Sequence, residues 1–275
     1  MEHDRAPALS GASALTNVAS ERVRRVRRLA KRSARSETGR LLVEGPQACR
    51  EAALAGLVVD LYLTADAAHA HPEIAAATDE SGGHIHEASA EYVRAISTDA
   101  QGFVAVAGDP WSGWTVARSL DRLVRLAAVF EQIRDPGNAG TAIRSADAAG
   151  ADLVVFADQS VDPAAPKVVR SSAGSYFHLP VVRAGMIEEA VAPLRRAGLE
   201  VLAADGAADL ALGAAVLERP AVWLFGNEVR GLSAAALAAA DRSIRIEIHG
   251  RAESLNVAMA ATLCLYASIG QLRAD

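Results

Sequence analysis

The sequence predicts an α/β protein whose larger, C-terminal part contains a parallel sheet. Short runs rich in Val, Ile and Leu alternate with Ala-rich helical segments, a pattern that favours strand–helix–strand units. A stretch at 109–119 with Pro, Gly and two Trp interrupts this alternation and indicates a linker. The chain of 275 residues has room for two ordinary domains. We therefore expect a smaller α/β domain before the linker and a parallel-sheet domain after it.

The N-terminal part combines a segment without periodicity and a first α/β block. Residues 1–20 are small and polar and are expected to be disordered. Residues 21–108 form the first predicted domain. Apolar runs predict strands at 40–45, 58–64 and 102–108, and helices at 46–56 and 89–97.

The second predicted domain, residues 120–275, alternates more regularly. Strands are predicted at 123–130, 152–157, 179–183, 199–204, 221–226 and 243–248, and helices near 139–149, 164–173, 186–197, 233–240 and 254–271. In parallel sheets, ligands bind beyond the carboxyl ends of the strands. The loops that follow these strands are thus expected to carry the chemistry.

The composition argues against several classes of protein. No apolar run reaches the roughly 20 residues of a membrane helix, and the N-terminus lacks the apolar region of a signal peptide. Cys49 and Cys264 lie far apart, which predicts two buried thiols in a reduced, cytoplasmic protein. Because no His, Cys and Asp residues show metal-ligand spacing, we expect no metal site.

A basic segment stands out in a chain whose net charge is −5. Residues 21–40 hold nine Lys or Arg against two Glu, and Val23, Val26 and Ala30 are spaced as one apolar helix stripe. One interpretation is a solvated helix face. The other is binding of an anionic partner, most simply RNA phosphate, because clustered cations repel unless they are counter-charged. The candidate phosphate ligands are Arg22, Arg24, Arg25, Arg27 and Arg28.

Three polar loops follow predicted strands of the second domain. The first, "RDPGNAGTAIRS", resembles a phosphate cradle, but it matches neither the dinucleotide fingerprint nor the P-loop. Its glycines, Gly137 and Gly140, are expected to shape a turn. The second loop is "LFGNEVRGLS" at 224–233, and the third is "IRIEIHGRAESLNVAMAA" at 244–261. Taken alone, each fits an ordinary turn and helix cap, with Ser254 as a candidate N-cap.

In this order, the three loops resemble the motifs of the SpoU family of RNA ribose 2′-O-methyltransferases, in the SPOUT superfamily. The spacing N-x-x-x-x-x-R from Asn138 to Arg144 is similar to the first motif, "FGNEVRGLS" to the second and "SLNVAMAA" to the third. "APKVVRSSAGSYFHLPV" resembles one branch of the family, and "ARSETGRLLVEGPQACREA" resembles its N-terminal substrate-binding domain. The sequence departs from the family at Glu247, where Pro is usual.

The resemblance implies a fold, a cofactor and an assembly. The C-terminal domain would be a SPOUT domain with a deep trefoil knot, and the N-terminal domain would be similar to ribosomal RNA-binding proteins. The implied cofactor is S-adenosylmethionine, and the implied partners are RNA and a second copy of the chain. The active site would form at the homodimer interface, for which the apolar helix Leu255 to Leu272 is a natural contact surface.

The resemblance also implies roles for individual residues. The main chain around Gly226, Ile246 and Leu255 would bind the cofactor. Arg144 would align the RNA or act as a general base, and alignment is the better-supported role because a guanidinium group stays protonated in proteins and is a poor base. The supporting catalytic set is Asn138, Glu228, Ser254 and Asn256, with Arg170 as a further candidate contact to RNA phosphate.

The predicted activity is methylation of a ribose 2′-OH, with 23S ribosomal RNA as the leading substrate because of the N-terminal domain type. Two alternatives stay open at this stage. One is a transfer RNA 2′-O-methyltransferase, and the other is a non-catalytic RNA-binding or ribosome assembly factor with the same fold. A nucleotide-dependent oxidoreductase is suggested only by the α/β pattern, and the chain lacks its fingerprint.

Overall fold

The computed structural model describes residues 14–217 and 219–272. The strands are β1 (Arg40–Glu44), β2 (Val58–Leu63), β3 (His84–Glu87), β4 (Phe103–Gly108), β5 (Leu126–Glu131), β6 (Leu153–Ala157), β7 (Val181–Arg183), β8 (Glu200–Ala204), β9 (Leu210–Ala211), β10 (Ala221–Phe225) and β11 (Arg242–Arg245). The helices are α1 (Glu21–Arg28), α2 (Arg32–Thr38), α3 (Pro46–Leu54), α4 (Ala65–Ala70), α5 (Pro72–Glu80), α6 (Ala90–Ile96), α7 (Val116–Ser119), α8 (Pro136–Ala149), α9 (Pro166–Ser171), α10 (Ile187–Arg196), α11 (Ala234–Ala238) and α12 (Val257–Leu272).

The chain divides into two compact units. The first contains the described residues up to Ser112 together with Ala164–Phe177. The second contains Gly113–Pro163 and the described residues from His178 onward. The first boundary falls inside the predicted linker, 109–119, but that stretch is not featureless: α7 lies within it, and the Arg118 guanidinium lies 4.9 Å from the centre of the Trp114 ring.

The segment Ala164–Phe177 differs from the predicted division, in which it belonged to the 120–275 domain. Its contacts explain why it packs in the first unit. The Arg170 guanidinium lies 2.9 Å from the Glu44 carboxylate and 2.6 Å from that of Asp99. In addition, the Trp111 indole N–H donates to the Tyr176 carbonyl at 2.6 Å. An ion-pair network and a partly buried hydrogen bond therefore tie this segment to the first unit.

The first unit contains a four-stranded sheet in the order β1-β4-β2-β3. Its β1–β4 and β2–β4 pairs are antiparallel and its β2–β3 pair is parallel. The predicted strands and helices of this block are present, whereas α4, α5 and β3 were not predicted. Pro72 starts α5 and interrupts the helical pattern, and β3 reads "HIHE", which has too little apolar character to stand out.

Most of the predicted disordered N-terminus, 1–20, lies outside the described residues. For its described end, the prediction was wrong. Leu15 bridges to Ala88, with its N–H donating to the Glu87 carbonyl at 2.8 Å. Ser20 then caps α1 by accepting from the Val23 N–H. These backbone and capping hydrogen bonds order a stretch whose composition gave no sign of structure.

The basic helix α1 buries the predicted stripe only in part. Val23 and Val26 are buried, as predicted, but Ala30 is exposed and Leu29 is buried instead. The reason is that α1 ends at Arg28, earlier than the charge pattern suggested. The guanidinium of Arg35 donates to the carbonyls of Leu29 and Ala30, which satisfies acceptors left free at the helix end.

The second unit contains a seven-stranded sheet in the order β7-β6-β5-β10-β8-β11-β9. Every pair in it is parallel, which confirms the predicted sheet type. The predicted strands are all present with shifted ends, and the short strand β9 was not predicted. The largest shifts are three residues, at the start of β5 and at the end of β11, which ends at Arg245 rather than at 248. Residues 246–256 are thereby released into a long loop.

Within 14–217 and 219–272, no helix is long and apolar enough to cross a bilayer. The same residues contain no group of three or more His, Cys, Asp or Glu that could hold a metal ion. Cys49 and Cys264 are buried free thiols. Burial raises the pKa of each thiol well above its ordinary value.

A buried hydrogen bond attaches the C-terminal helix to the sheet. The Trp223 indole N–H on β10 donates to the Ser268 hydroxyl on α12 at 2.8 Å, and both residues are fully buried. We expect Ser268→Ala to lower the free energy of unfolding by about 1–3 kcal/mol, because it leaves a buried N–H without a partner. Urea denaturation measures the change. Ser36→Ala, at an exposed serine, is the control and should stay within about 0.5 kcal/mol of wild type; equal values for both variants would contradict the assignment.

Candidate active site

A cavity of about 370 Å³ lies in the second unit, where β8, β10 and β11 end. The carboxyl ends of these neighbouring parallel strands meet at one edge of the sheet, so the loops that follow them share one site. The walls include the apolar side chains of Phe225, Ile244, Ile246, Leu255 and Val257. Charged side chains also line it, namely Asp205, Glu228, Arg230 and Glu253.

The second loop, after β10, folds back on itself against Gly226. Asn227 and Gly231 exchange two main-chain hydrogen bonds of 2.8 and 3.0 Å, and Gly231 takes a φ of +68°. A Cβ atom on Gly226 would lie 2.2–2.3 Å from main-chain atoms of Gly231 and Leu232. The close packing of the loop's own backbone therefore requires glycine at position 226, whether or not a ligand is bound.

The third loop runs from the end of β11 to the start of α12. Asn256 caps α12, since its Oδ1 accepts from the Ala258 N–H at 2.9 Å. The alternative in which Ser254 is the N-cap is therefore wrong, and Ser254 lines the cavity instead. Ile246 and Ile248 also line the cavity, whereas the intervening Glu247 is exposed and does not. The Glu247 side chain is therefore not part of the cavity wall.

The first loop is shorter than predicted, because α8 begins at Pro136. Asp135 is the N-cap, and its carboxylate accepts from the Asn138 N–H at 2.8 Å. Gly137 and Gly140 lie inside α8, so the prediction that they shape a turn was wrong. A Cβ atom on Gly137 would lie 2.9 Å from the Asp135 carboxylate, which explains a glycine there: it leaves room for the cap.

A hydrogen-bonded chain of side chains joins all three loops. The Asn138 Nδ2 donates to the Glu228 carboxylate at 2.8 Å, and the Asn256 Nδ2 donates to the Asn138 Oδ1 at 2.9 Å. Asn227 extends the chain by donating to the Gln132 carbonyl at 3.0 Å. The structure thus brings together the predicted residues Asn138, Glu228 and Asn256 through direct bonds. Sequence reasoning overlooked Asn227 and Gln132, although Asn227 stands inside the second motif.

Two predicted arginines lie apart from this cavity. Arg144 is exposed on α8, is absent from the cavity wall, and has no ion-pair partner in the described part of the chain. Its free guanidinium is available to a ligand or to another molecule. Arg170 belongs to the first unit, where two carboxylates already occupy its guanidinium. The structure therefore gives Arg170 a packing role, and we do not propose it as an RNA contact.

Two family models match the chain. The model of the SpoU rRNA Methylase family covers residues 125–266, which include all three loops and the residues that line the cavity. The chain belongs to this family. The predicted membership is thereby confirmed. The second match, to an MRM3-like substrate binding domain, covers residues 20–105 in the first unit.

Relatives along nearly the whole chain support the same assignment. The chain is 32% identical to the Bacillus subtilis 23S rRNA (guanosine(2553)-2′-O)-methyltransferase RlmP, over 90% of this chain and 95% of that one. It is also similar to the solved SpoU methyltransferase AviRb from Streptomyces viridochromogenes in complex with AdoMet. That match has a TM-score of 0.80 and 29% identity, over 93% of this chain and 100% of the other. An AdoMet-bound rRNA methyltransferase from Sinorhizobium meliloti matches with a TM-score of 0.79 and 28% identity, over 93% and 96%.

The backbone constraint at Gly226 gives a testable prediction. We expect Gly226→Ala to displace the second loop, since the new Cβ would overlap main-chain atoms that cannot rotate away. The variant should bind S-adenosylmethionine at least about tenfold more weakly, by calorimetry. Gly213→Ala, in the same unit, is the control because its Cβ would meet nothing within 4 Å. Wild-type affinity in Gly226→Ala would show that the loop tolerates the side chain.

Proposed function

We propose that this protein transfers a methyl group from S-adenosylmethionine to a ribose 2′-OH of 23S ribosomal RNA. The observation that carries the proposal is the hydrogen-bonded chain Asn256–Asn138–Glu228, which ties the first family motif to the second and third motifs, whose loops line one cavity. A fold retained only for RNA binding would not need these loops fixed to one another beside a pocket. The named relatives that act on 23S rRNA support this substrate over transfer RNA.

The cavity suits this cofactor in size and chemistry. Its volume of about 370 Å³ lies within the range of roughly 300–1,000 Å³ for small-molecule sites. Ile246 and Leu255 offer apolar surface for an adenine ring, and their main-chain groups can read its edge. Asp205 and Glu253 place carboxylates on the wall, which suits a ligand that carries a sulfonium and an ammonium group.

The reaction needs an aligned ribose hydroxyl and a way to stabilise its developing negative charge. When bound, S-adenosylmethionine supplies the electrophilic methyl group on its sulfonium. Glu228 cannot swing freely, because Asn138 and Asn227 both donate to it, at 2.8 and 3.4 Å. We assign it, with Asn138 and Asn256, to holding the motif loops in their reactive arrangement. Ser254, on the cavity wall, can donate a hydrogen bond to cofactor or substrate.

Arg144 is proposed to align the RNA through a phosphate next to the target ribose. Its planar guanidinium can bind a phosphate in a bidentate manner, and no described carboxylate competes for it. Since Arg144 does not line the cavity of its own chain, we propose that it serves the cavity of a partner subunit in a homodimer. The trefoil knot stays a prediction from the family resemblance, and a cytoplasmic location stays a prediction from the two cysteines.

An exposed apolar face on α12 supports the homodimer proposal. Met259, Leu263 and Tyr266 are 62%, 47% and 50% exposed, and their spacing places them on one side of the helix. A contiguous exposed apolar surface of this kind favours association. RNA is proposed to contact the arginines of α1, of which Arg24, Arg25, Arg27 and Arg28 are exposed.

Replacement of Arg144 tests the catalytic assignment. We expect Arg144→Ala to lower methyl transfer to 23S rRNA by about 10²-fold or more, because alignment of the reacting groups is lost. Calorimetric affinity for S-adenosylmethionine should stay within twofold of wild type, roughly the precision of the method. Arg144→Lys keeps the charge without the planar fork and should recover only part of the rate. Arg122→Ala, at another exposed arginine of the same unit, is the control. Full turnover in Arg144→Ala would refute the assignment.

Replacement of outward-facing α1 arginines tests RNA binding. Arg24→Ala with Arg27→Ala should weaken binding of a 23S rRNA transcript and reduce the slope of log affinity against log salt by about one to two. Filter binding at several salt concentrations gives both quantities. Unchanged affinity and slope would mean that α1 is a solvated face, the alternative stated from the sequence.

A further inference from the structure

A second cavity, of about 270 Å³, lies in the first unit. It is formed by α1 and α2 together with the start of β1 and parts of β2 and β4. The active-site cavity belongs to the other unit, so this one has a separate set of walls. Neither the family motifs nor the chemistry of methyl transfer accounts for it.

The inner surface of this cavity is apolar. It is formed by Val26 and Leu29 from the end of α1, Ala34 from α2 and Val106 from β4, which are all buried. Apolar side chains beside an opening of this volume provide a surface on which a planar ring can lie. A nucleotide base has such a ring.

Two arginines at the cavity have no protein partner. Neither the Arg25 nor the Arg40 guanidinium has a hydrogen bond or ion pair to any of the described residues, and Arg40 is half-buried. The third, Arg28, has only a 3.9 Å contact with Glu37, and both side chains are largely exposed. Unpaired guanidinium groups beside an apolar surface favour an anionic ligand, and phosphate accepts their hydrogen bonds in a bidentate manner.

The carboxylate of Asp60 also lines the cavity. The β2–β4 register shifts between Val58 and Asp60, and such a bulge redirects the side chains that follow it. One oxygen of the Asp60 carboxylate lies 2.8 Å from the His86 Nε2, and the other has no partner among residues 14–217 and 219–272. The cavity thus offers an acceptor for a base N–H in addition to its donors for a phosphate.

A buried hydroxyl next to this group is also unsatisfied. The Tyr62 side chain is fully buried and stacks on the His86 ring at 4.9 Å between centroids. Its hydroxyl has no hydrogen-bond partner in the described part of the chain. Burial, followed by the charge of Asp60, raises the pKa of Tyr62, so the hydroxyl stays a neutral donor.

We infer that this cavity binds one unpaired nucleotide of the RNA substrate. The base lies on the apolar surface, its N–H faces Asp60, and its phosphate lies between Arg25 and Arg40. The inference rests on the proposed function and adds a recognition site away from the reacting ribose. It predicts that the protein recognises a splayed-out nucleotide in addition to the methylated one, since sequence-specific RNA recognition commonly uses unstacked bases.

Steady-state kinetics with a 23S rRNA transcript test the site. Arg25→Ala with Arg40→Ala should raise the KM for RNA by about tenfold while kcat stays within about twofold, because only substrate contacts are removed. Affinity for S-adenosylmethionine should not change. The matched control is Arg50→Ala with Arg94→Ala, which removes the same charge from helices of the same unit outside the cavity. An equal rise of KM in both double variants would show that the effect comes from the loss of positive charge anywhere in the unit. That result would overturn the inference.

A substitution that fills the cavity without changing the net charge tests whether the shape of the cavity contributes to RNA binding. Thr38 lies exposed at the cavity, and Thr38→Trp should raise the KM for RNA with no change in net charge. Circular dichroism and thermal melting establish that each variant is folded. Wild-type KM in folded Thr38→Trp and in the Arg25/Arg40 variant would overturn the nucleotide site. If the wild-type protein did not methylate the transcript, that result would contradict the proposed function itself. Failure of the proposed function is therefore distinguishable from failure of the nucleotide site.

Discussion

The active site depends on the Glu228 carboxylate being held by side chains from other loops. Asn138 donates to it at 2.8 Å, and Asn138 in turn accepts from Asn256 at 2.9 Å. Removing Asn138 or Glu228 would leave the other, partly buried, without its partner, which costs more than the net value of the bond. Because the loops follow different strands, this chain of bonds fixes three separate parts of the sequence relative to one another. The cavity has a defined shape for that reason.

Backbone constraints support the same arrangement. The second loop packs its main chain on Gly226, so tightly that no Cβ fits there. The Asn256 side chain accepts a hydrogen bond from a main-chain N–H in the first turn of α12, and the Asp135 side chain does the same for α8. Each capping residue therefore fixes where a helix begins and, with it, where Asn138 and the third loop lie. A site built on rigid helix starts and strand ends needs little rearrangement when a ligand binds.

The charged residues of the two units differ in sign where ligands are proposed to bind. Active-site loops place three carboxylates on the cavity wall, which suits a cationic cofactor, whereas exposed arginines concentrate on α1 of the first unit. Arg170 was a candidate phosphate contact because of its sequence motif. In the structure, however, Glu44 and Asp99 already neutralise its charge. Arg25 and Arg40 have no such partners among the described residues, and this difference is visible only when the carboxylates around each arginine are known.

By itself, the sequence determined the α/β class, the parallel sheet and the three motif loops, because hydrophobic periodicity and local spacing are properties of neighbouring residues. It also supplied the residue types of the site. The tertiary structure decided which of them meet: Asn138 and Glu228 are 90 positions apart, and Asn138 and Asn256 are 118 apart. It likewise decided that Ala164–Phe177 packs with the first unit, that Gly137 lies in a helix, and that Arg25 and Arg40 share a cavity. These outcomes depend on long-range packing and on capping contacts, which local patterns do not encode.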